Sequence, residues 1–156
     1  MNHKRRLMLK GSLAAGAVGV AVGAGLLTPR AVMAAWSKEA FESEDMNTAL
    51  SASMGSSKMT ESDKVKLKAP DIAENGAVVP VTVTSGIDGT SSIGIIVANN
   101  PTPLTATFNL GPTTEGYIST RIKMGKTSDV IAVVKAGGKL YSAKKEVKVT
   151  IGGCGG

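Results

Sequence analysis

From Lys64 onward, apolar residues recur at every second position, in short runs divided by turn residues. A period of two sends successive side chains to opposite faces of an extended chain, so each run reads as a strand with one buried face. Val65, Leu67 and Ala69 alternate with lysines. Val79, Val81 and Val83 form the next run, and Pro80 within it suggests an edge or a bulge. Ile93 to Ala98 is nearly continuous and is broken by Asn99-Asn100-Pro101-Thr102-Pro103. Leu104, Ala106, Phe108 and Leu110 alternate up to the turn at Gly111-Pro112. Ile118, Thr120, Ile122 and Met124 alternate with Ser119, Arg121 and Lys123. Val130 to Val134 is apolar on both faces, which predicts a central strand. Gly137-Gly138 predicts a hairpin turn. The last strand places Tyr141, Ala143, Val147, Val149 and Ile151 on one side, with Lys145 falling awkwardly among them. About seven short strands with no helices between them predict an all-β, immunoglobulin-like antiparallel β-sandwich.

Before the strands, Trp36 to Met54 has helix-like spacing, with Ser37 placed to cap a first turn that contains Glu39. Phe41, Met46, Ala49 and Leu50 supply its apolar positions, and Gly55-Ser56-Ser57 ends it. Trp36 is a candidate interface anchor, or simply part of an amphipathic helix packed on the sandwich.

The first residues read as an export signal. Lys4, Arg5 and Arg6 make a basic start, Gly11 to Thr28 is apolar, and Val32-Met33-Ala34 offers small residues for cleavage before Ala35. Arg5-Arg6-Leu7-Met8-Leu9-Lys10 fits the twin-arginine pattern. As a helix the apolar stretch would be about 27 Å long, short for a bilayer span, so cleavage is favoured over a retained anchor. The expected organisation is a twin-arginine signal over 1–34, a helical segment and linker over 35–57, a β-sandwich over 58–151 and an arm over 152–156.

The net charge of +6 belongs largely to the signal. Five of the eighteen basic residues lie in 1–34 and none of the twelve acidic ones does, which leaves thirteen against twelve, a net +1. That near-neutrality argues against nucleic acid as a partner. The single histidine, His3, leaves as well. The expected mature chain therefore has no Ser-His-Asp or Cys-His pair, no histidine metal ligand and no imidazole proton shuttle. No metal site, cofactor or catalytic residue is expected.

One thiol remains, in Gly152-Gly153-Cys154-Gly155-Gly156. Glycine adds backbone freedom and removes bulk, and five extended residues reach roughly 17 Å. Cys154 thus sits on a slim arm that fits a narrow pocket in another protein. An exposed thiol ionises near pH 8.5, so about a few per cent is thiolate at pH 7, and activation must come from whatever site the arm visits. This pattern favours a carrier over an enzyme. A single cysteine does not suit disulfide shuttling, which normally needs a resolving thiol. A binding or assembly module without covalent carriage is the alternative. Gly155-Gly156 also matches the ending of ubiquitin-like sulfur carriers, but the export signal and the β-rich pattern oppose that reading. Lys144, Lys145 and Lys148 precede the arm, either as a solvated face or as steering charges for anions.

The chain resembles the SoxY family, sulfur-carrier subunits of the periplasmic thiosulfate-oxidising (Sox) system. The resemblance rests on the twin-arginine signal, on Ala35-Trp36 followed by Lys38-Glu39-Ala40-Phe41, and on Ala69-Pro70-Asp71-Ile72-Ala73-Glu74-Asn75-Gly76. It continues through Ser119-Thr120-Arg121-Ile122-Lys123-Met124-Gly125 to the Gly152–Gly156 motif. It implies a periplasmic heterodimer with a SoxZ-like subunit and covalent attachment of thiosulfate-derived sulfur to Cys154. It also implies service by SoxXA, SoxB and SoxCD-like enzymes, with Cys154 passing through an S-thiosulfonate and a persulfide. No membrane anchor remains after cleavage in such a protein.

Overall fold

The computed structural model describes residues 37–150. Two helices come first: α1 (Lys38–Glu42) and α2 (Met46–Met54). Nine strands follow: β1 (Met59–Glu61), β2 (Val65–Lys68), β3 (Ile72–Ala73), β4 (Val79–Ser85), β5 (Thr90–Val97), β6 (Leu104–Asn109), β7 (Tyr117–Ile122), β8 (Ser128–Ala136) and β9 (Lys139–Val149).

Ser37 caps α1 as expected, accepting from the Ala40 N–H at 3.4 Å. The helical region is nevertheless two helices. Ser43 is extended, and Asp45 starts a new helix by accepting from the Thr48 N–H and the Thr48 hydroxyl, each at 2.8 Å. An aspartate that bonds nearby backbone competes with helix continuation and prefers the cap. The Thr48 N–H, then its hydroxyl, hold the Asp45 carboxyl below the usual carboxylate range.

The strands form two sheets, β1-β9-β8-β5-β6 and β2-β4-β7, with β3 also pairing β9. Taking the seven longer strands in chain order, the first, second and fifth make the smaller sheet; the other four make the body of the larger. The fourth, β6, pairs with β5, whereas in antibody constant domains it joins the opposite sheet. This is the all-β sandwich that the alternation implies. The alternation misses β1 and β3, which run parallel to β9 and are too short to show a period. The larger sheet is therefore mixed at its β9 side.

Val130–Val134 lies in β8 between β9 and β5, the central position its two apolar faces predict. One face of this sheet packs on the smaller one through Ile93, Ile95, Val97, Val130, Ala132, Val134 and Val147 against Val79, Val81 and Val83. The other face is covered by the helices: Ile96, Val133 and Leu140 cluster with Ala40, Ala49, Leu50 and Met54. Burial on both faces explains the unbroken apolar runs. Gly94 permits the close helix approach, because a Cβ there would stand 2.6 Å from Met54 Cε. The Gly137-Gly138 turn has φ of 55° and 75°, as a two-residue hairpin requires.

Pro80 is a correction. Its strand, β4, is the centre of the smaller sheet, not an edge. β2 covers β4 only from Thr82 to Ser85, so Pro80 lies past that ladder and removes no donor from it.

Candidate functional site

Cys154, its neighbours Gly152, Gly153, Gly155 and Gly156, the signal residues Arg5 and Arg6, and Trp36 all lie outside the described residues. The structure describes the root from which the cysteine-bearing segment departs. That root is the last part of β9.

β9 outlasts its main partner. The β8–β9 register runs from Ala136↔Lys139 to Ser128↔Val147 and stops. Two further residues of β9 are held on the opposite side by β3, with Ile72 beside Lys148 and Ala73 beside Val149. The Lys148 N–H donates to the Asp71 carbonyl at 3.0 Å, and the Thr150 N–H to the Ala73 carbonyl at 3.2 Å. The intervening Val149 N–H donates to Thr127 Oγ1 at 3.0 Å. The chain is therefore tied on both sides up to Thr150, four positions before Cys154.

The three lysines before the arm behave differently from one another. Lys145 Nζ donates to the Ala69 carbonyl at 2.6 Å and lies 3.0 Å from Asp71 Oδ1. Its side chain is 34% exposed, whereas that of Asp71 is 90% exposed. The ion pair is thus screened by water, and the bond to the carbonyl is the firmer link. Lys145 points from the apolar side of β9 because it fastens the strand to the segment between β2 and β3; it is neither a solvated face nor free steering charge. Lys144 stands 4.0 Å from Glu61 in an exposed pair, and Lys148 is exposed.

Two open hollows lie elsewhere. One of about 420 Å³ is formed by Thr84–Thr90 and Thr114–Tyr117. It lies at the far end of the sandwich, since Thr90 pairs with Ala136 while Val97 pairs with Val130 near the root of the arm. The other, about 470 Å³, lies between Glu61–Lys66 and Ser142–Lys144. Neither is lined by a cysteine or histidine. Among the described residues, no three acidic, histidine or cysteine side chains are grouped to hold a metal. Among them, too, no helix is long and apolar enough to cross a membrane.

Sequence reasoning singles out Cys154 by elimination and misses the root. Asn99 and Asn100 read only as strand breakers and Thr127 carries no signal, because the bonds they make join segments far apart in sequence.

Comparison with known proteins gives consistent findings. The family model described as sulfur oxidation protein SoxY matches residues 50–154. The structure of the sulfur carrier protein SoxY from Chlorobium limicola f thiosulfatophilum is similar, with 48% sequence identity and a TM-score of 0.60. The match covers 66% of this chain and 94% of that one. A lytic polysaccharide monooxygenase from Jonesia denitrificans matches at 13% identity and a TM-score of 0.38, over 60% of this chain and 58% of that one. No curated protein sequence matches.

Proposed function

The chain belongs to the SoxY family of sulfur oxidation proteins, and from that membership we propose that it carries sulfur covalently on Cys154 during thiosulfate oxidation. The observation that carries this reading is the position of the thiol. The family match extends through Cys154, which lies five positions beyond a strand end tied on both sides and is flanked by glycines.

The chemistry follows from what a lone thiol does. In loading, a sulfur–sulfur bond forms between Cys154 Sγ and thiosulfate. The thiol proton leaves, and two electrons pass to a partner haem enzyme of the SoxXA type. The product is a cysteine S-thiosulfonate. Water then displaces its outer group as sulfate, at a SoxB-like hydrolase, and a persulfide stays on Cys154. A SoxCD-like enzyme then takes six electrons from the remaining sulfane sulfur while three waters supply its oxygens, leaving a sulfonate on Cys154 Sγ, and a further hydrolysis by the SoxB-like enzyme releases that group as sulfate and frees the thiol. The carrier itself supplies reach and a stable mount, while partners supply activation and catalysis. A SoxZ-like subunit completes the heterodimer, and the Arg5-Arg6 signal exports the chain to the periplasm, where these reactions occur.

The test is Cys154→Ser in a reconstituted thiosulfate-oxidising system. Turnover is lost while the melting temperature and the partner complex are unchanged. Turnover at the wild-type rate refutes covalent carriage and favours the assembly-module reading.

A further inference from the structure

Resting on the carrier reading, we propose that Thr127 is a positioning residue for the carrier arm: its hydroxyl fixes the point at which the arm leaves the sheet. Beyond Ser128↔Val147 the main chain of β8 no longer pairs with β9. Successive N–H groups of a strand point to opposite sides. Lys148 and Thr150 donate toward β3, so Val149 donates the other way, where a carbonyl of β8 would be needed to continue the ladder. Thr127 Oγ1 occupies that place at 3.0 Å. A side-chain hydroxyl extends the sheet by one bond past its last paired residue.

The turn that carries the hydroxyl is itself braced. Asn99 Nδ2 donates to the Thr127 carbonyl at 3.1 Å, and the Asn99 N–H donates to Ser128 Oγ at 2.9 Å. Asn100 closes the same turn from its other end: Oδ1 accepts from the Gly125 N–H at 3.0 Å, and Nδ2 donates to the Lys123 carbonyl at 2.8 Å. Both asparagines lie within three residues of the end of β5, a central strand whose isoleucines and valine are fully buried. The exit of the arm is thereby referenced to the core of the sandwich. Without the Thr127 hydroxyl, Val149 loses its tie on the β8 side and the end of β9 is held by β3 alone. The direction in which the chain leaves the sheet toward Cys154 is then fixed from one side only, so a smaller share of encounters with the oxidising enzyme brings the thiol to its site.

The experiment compares wild type, Thr127→Val and Thr127→Ser. Val keeps the shape and removes the acceptor; Ser keeps the acceptor. Two readouts are taken on the full chain: amide hydrogen exchange at Val149, and the steady-state kinetics of Cys154 loading with thiosulfate by the oxidising partner enzyme. The expected result for Thr127→Val is exchange at Val149 at least about tenfold faster. The carrier KM rises about twofold with kcat unchanged, and the Ser variant restores both. A Val149 amide equally protected in Thr127→Val overturns the anchor. Faster exchange with an unchanged KM overturns the positioning role and leaves a merely structural bond. Wild-type protein that takes up no thiosulfate adduct refutes the carrier reading instead, and the exchange readout stands apart from that outcome.

Discussion

Replacing Gly94 with alanine tests the close packing of Met54 on the outer face of the larger sheet. On an open strand, glycine to alanine stabilises by roughly 0.5–1 kcal/mol because the unfolded chain loses freedom. Here the added Cβ would stand 2.6 Å from Met54 Cε and 3.6 Å from its sulfur. Met54 is 2% exposed and packed among Ala40, Ala49 and Leu50, so its flexible end can yield only by shifting against buried neighbours. Overpacking of this size costs about 1–3 kcal/mol, and it exceeds the backbone gain. The expected net loss is about 1–2 kcal/mol, seen in urea melts as a lower midpoint with an unchanged slope. The sharper form is a double-mutant cycle with Met54→Ala. Met54→Ala alone is destabilising by about 2–5 kcal/mol. In that background the clash is absent, so Gly94→Ala becomes neutral or stabilising, and the coupling exceeds about 1 kcal/mol. Additive effects, or a stabilising Gly94→Ala in the wild type, refute the close packing of Met54 on Gly94.

Two further outcomes follow from particular contacts. Lys145→Met keeps the apolar stem and loses the bond to the Ala69 carbonyl, so it lowers stability by about 1 kcal/mol; Asp71→Asn lowers it by less than half as much, because its carboxylate is solvated. Equal losses in denaturant melts contradict this ranking. The Asp45 carboxyl is held below its unfolded value by Thr48, so its contribution is present above about pH 4 and is lost as pH falls through the lowered folded value. Asp45→Asn, which still caps, removes that component of the acid transition; an identical pH–stability profile below pH 4 shows that the carboxylate bond is not the cause.

The sandwich is legible in the sequence wherever one face of a strand differs from the other. β4, β6 and β7 are read from alternation, β8 from its doubly apolar run, and the last hairpin from paired glycines. What escapes notice is set by distant partners. β1 and β3 exist because β9 offers them an edge, not because three or two residues prefer to be extended. Pro80 is tolerated in a central strand because β2 is short, a fact of the neighbour and not of Pro80. The helix break at Asp45 is local and was within reach: Asp45 and Thr48 have cap spacing. Of the site, Cys154 is legible because it is the one thiol. Lys145 is legible as an anomaly, but its partner, the Ala69 carbonyl, requires the fold. Thr127 is silent in the sequence, since nothing local distinguishes its hydroxyl from that of any exposed turn threonine.

The central claim is that Cys154 carries sulfur. Mass spectrometry of the native protein, isolated without reductant from cells oxidising thiosulfate, tests it most directly. The expected spectrum shows sulfur adducts, S-thiosulfonate and persulfide, on the peptide that contains Cys154, and their loss on reduction. A Cys154 found free of any sulfur adduct under these conditions contradicts the account.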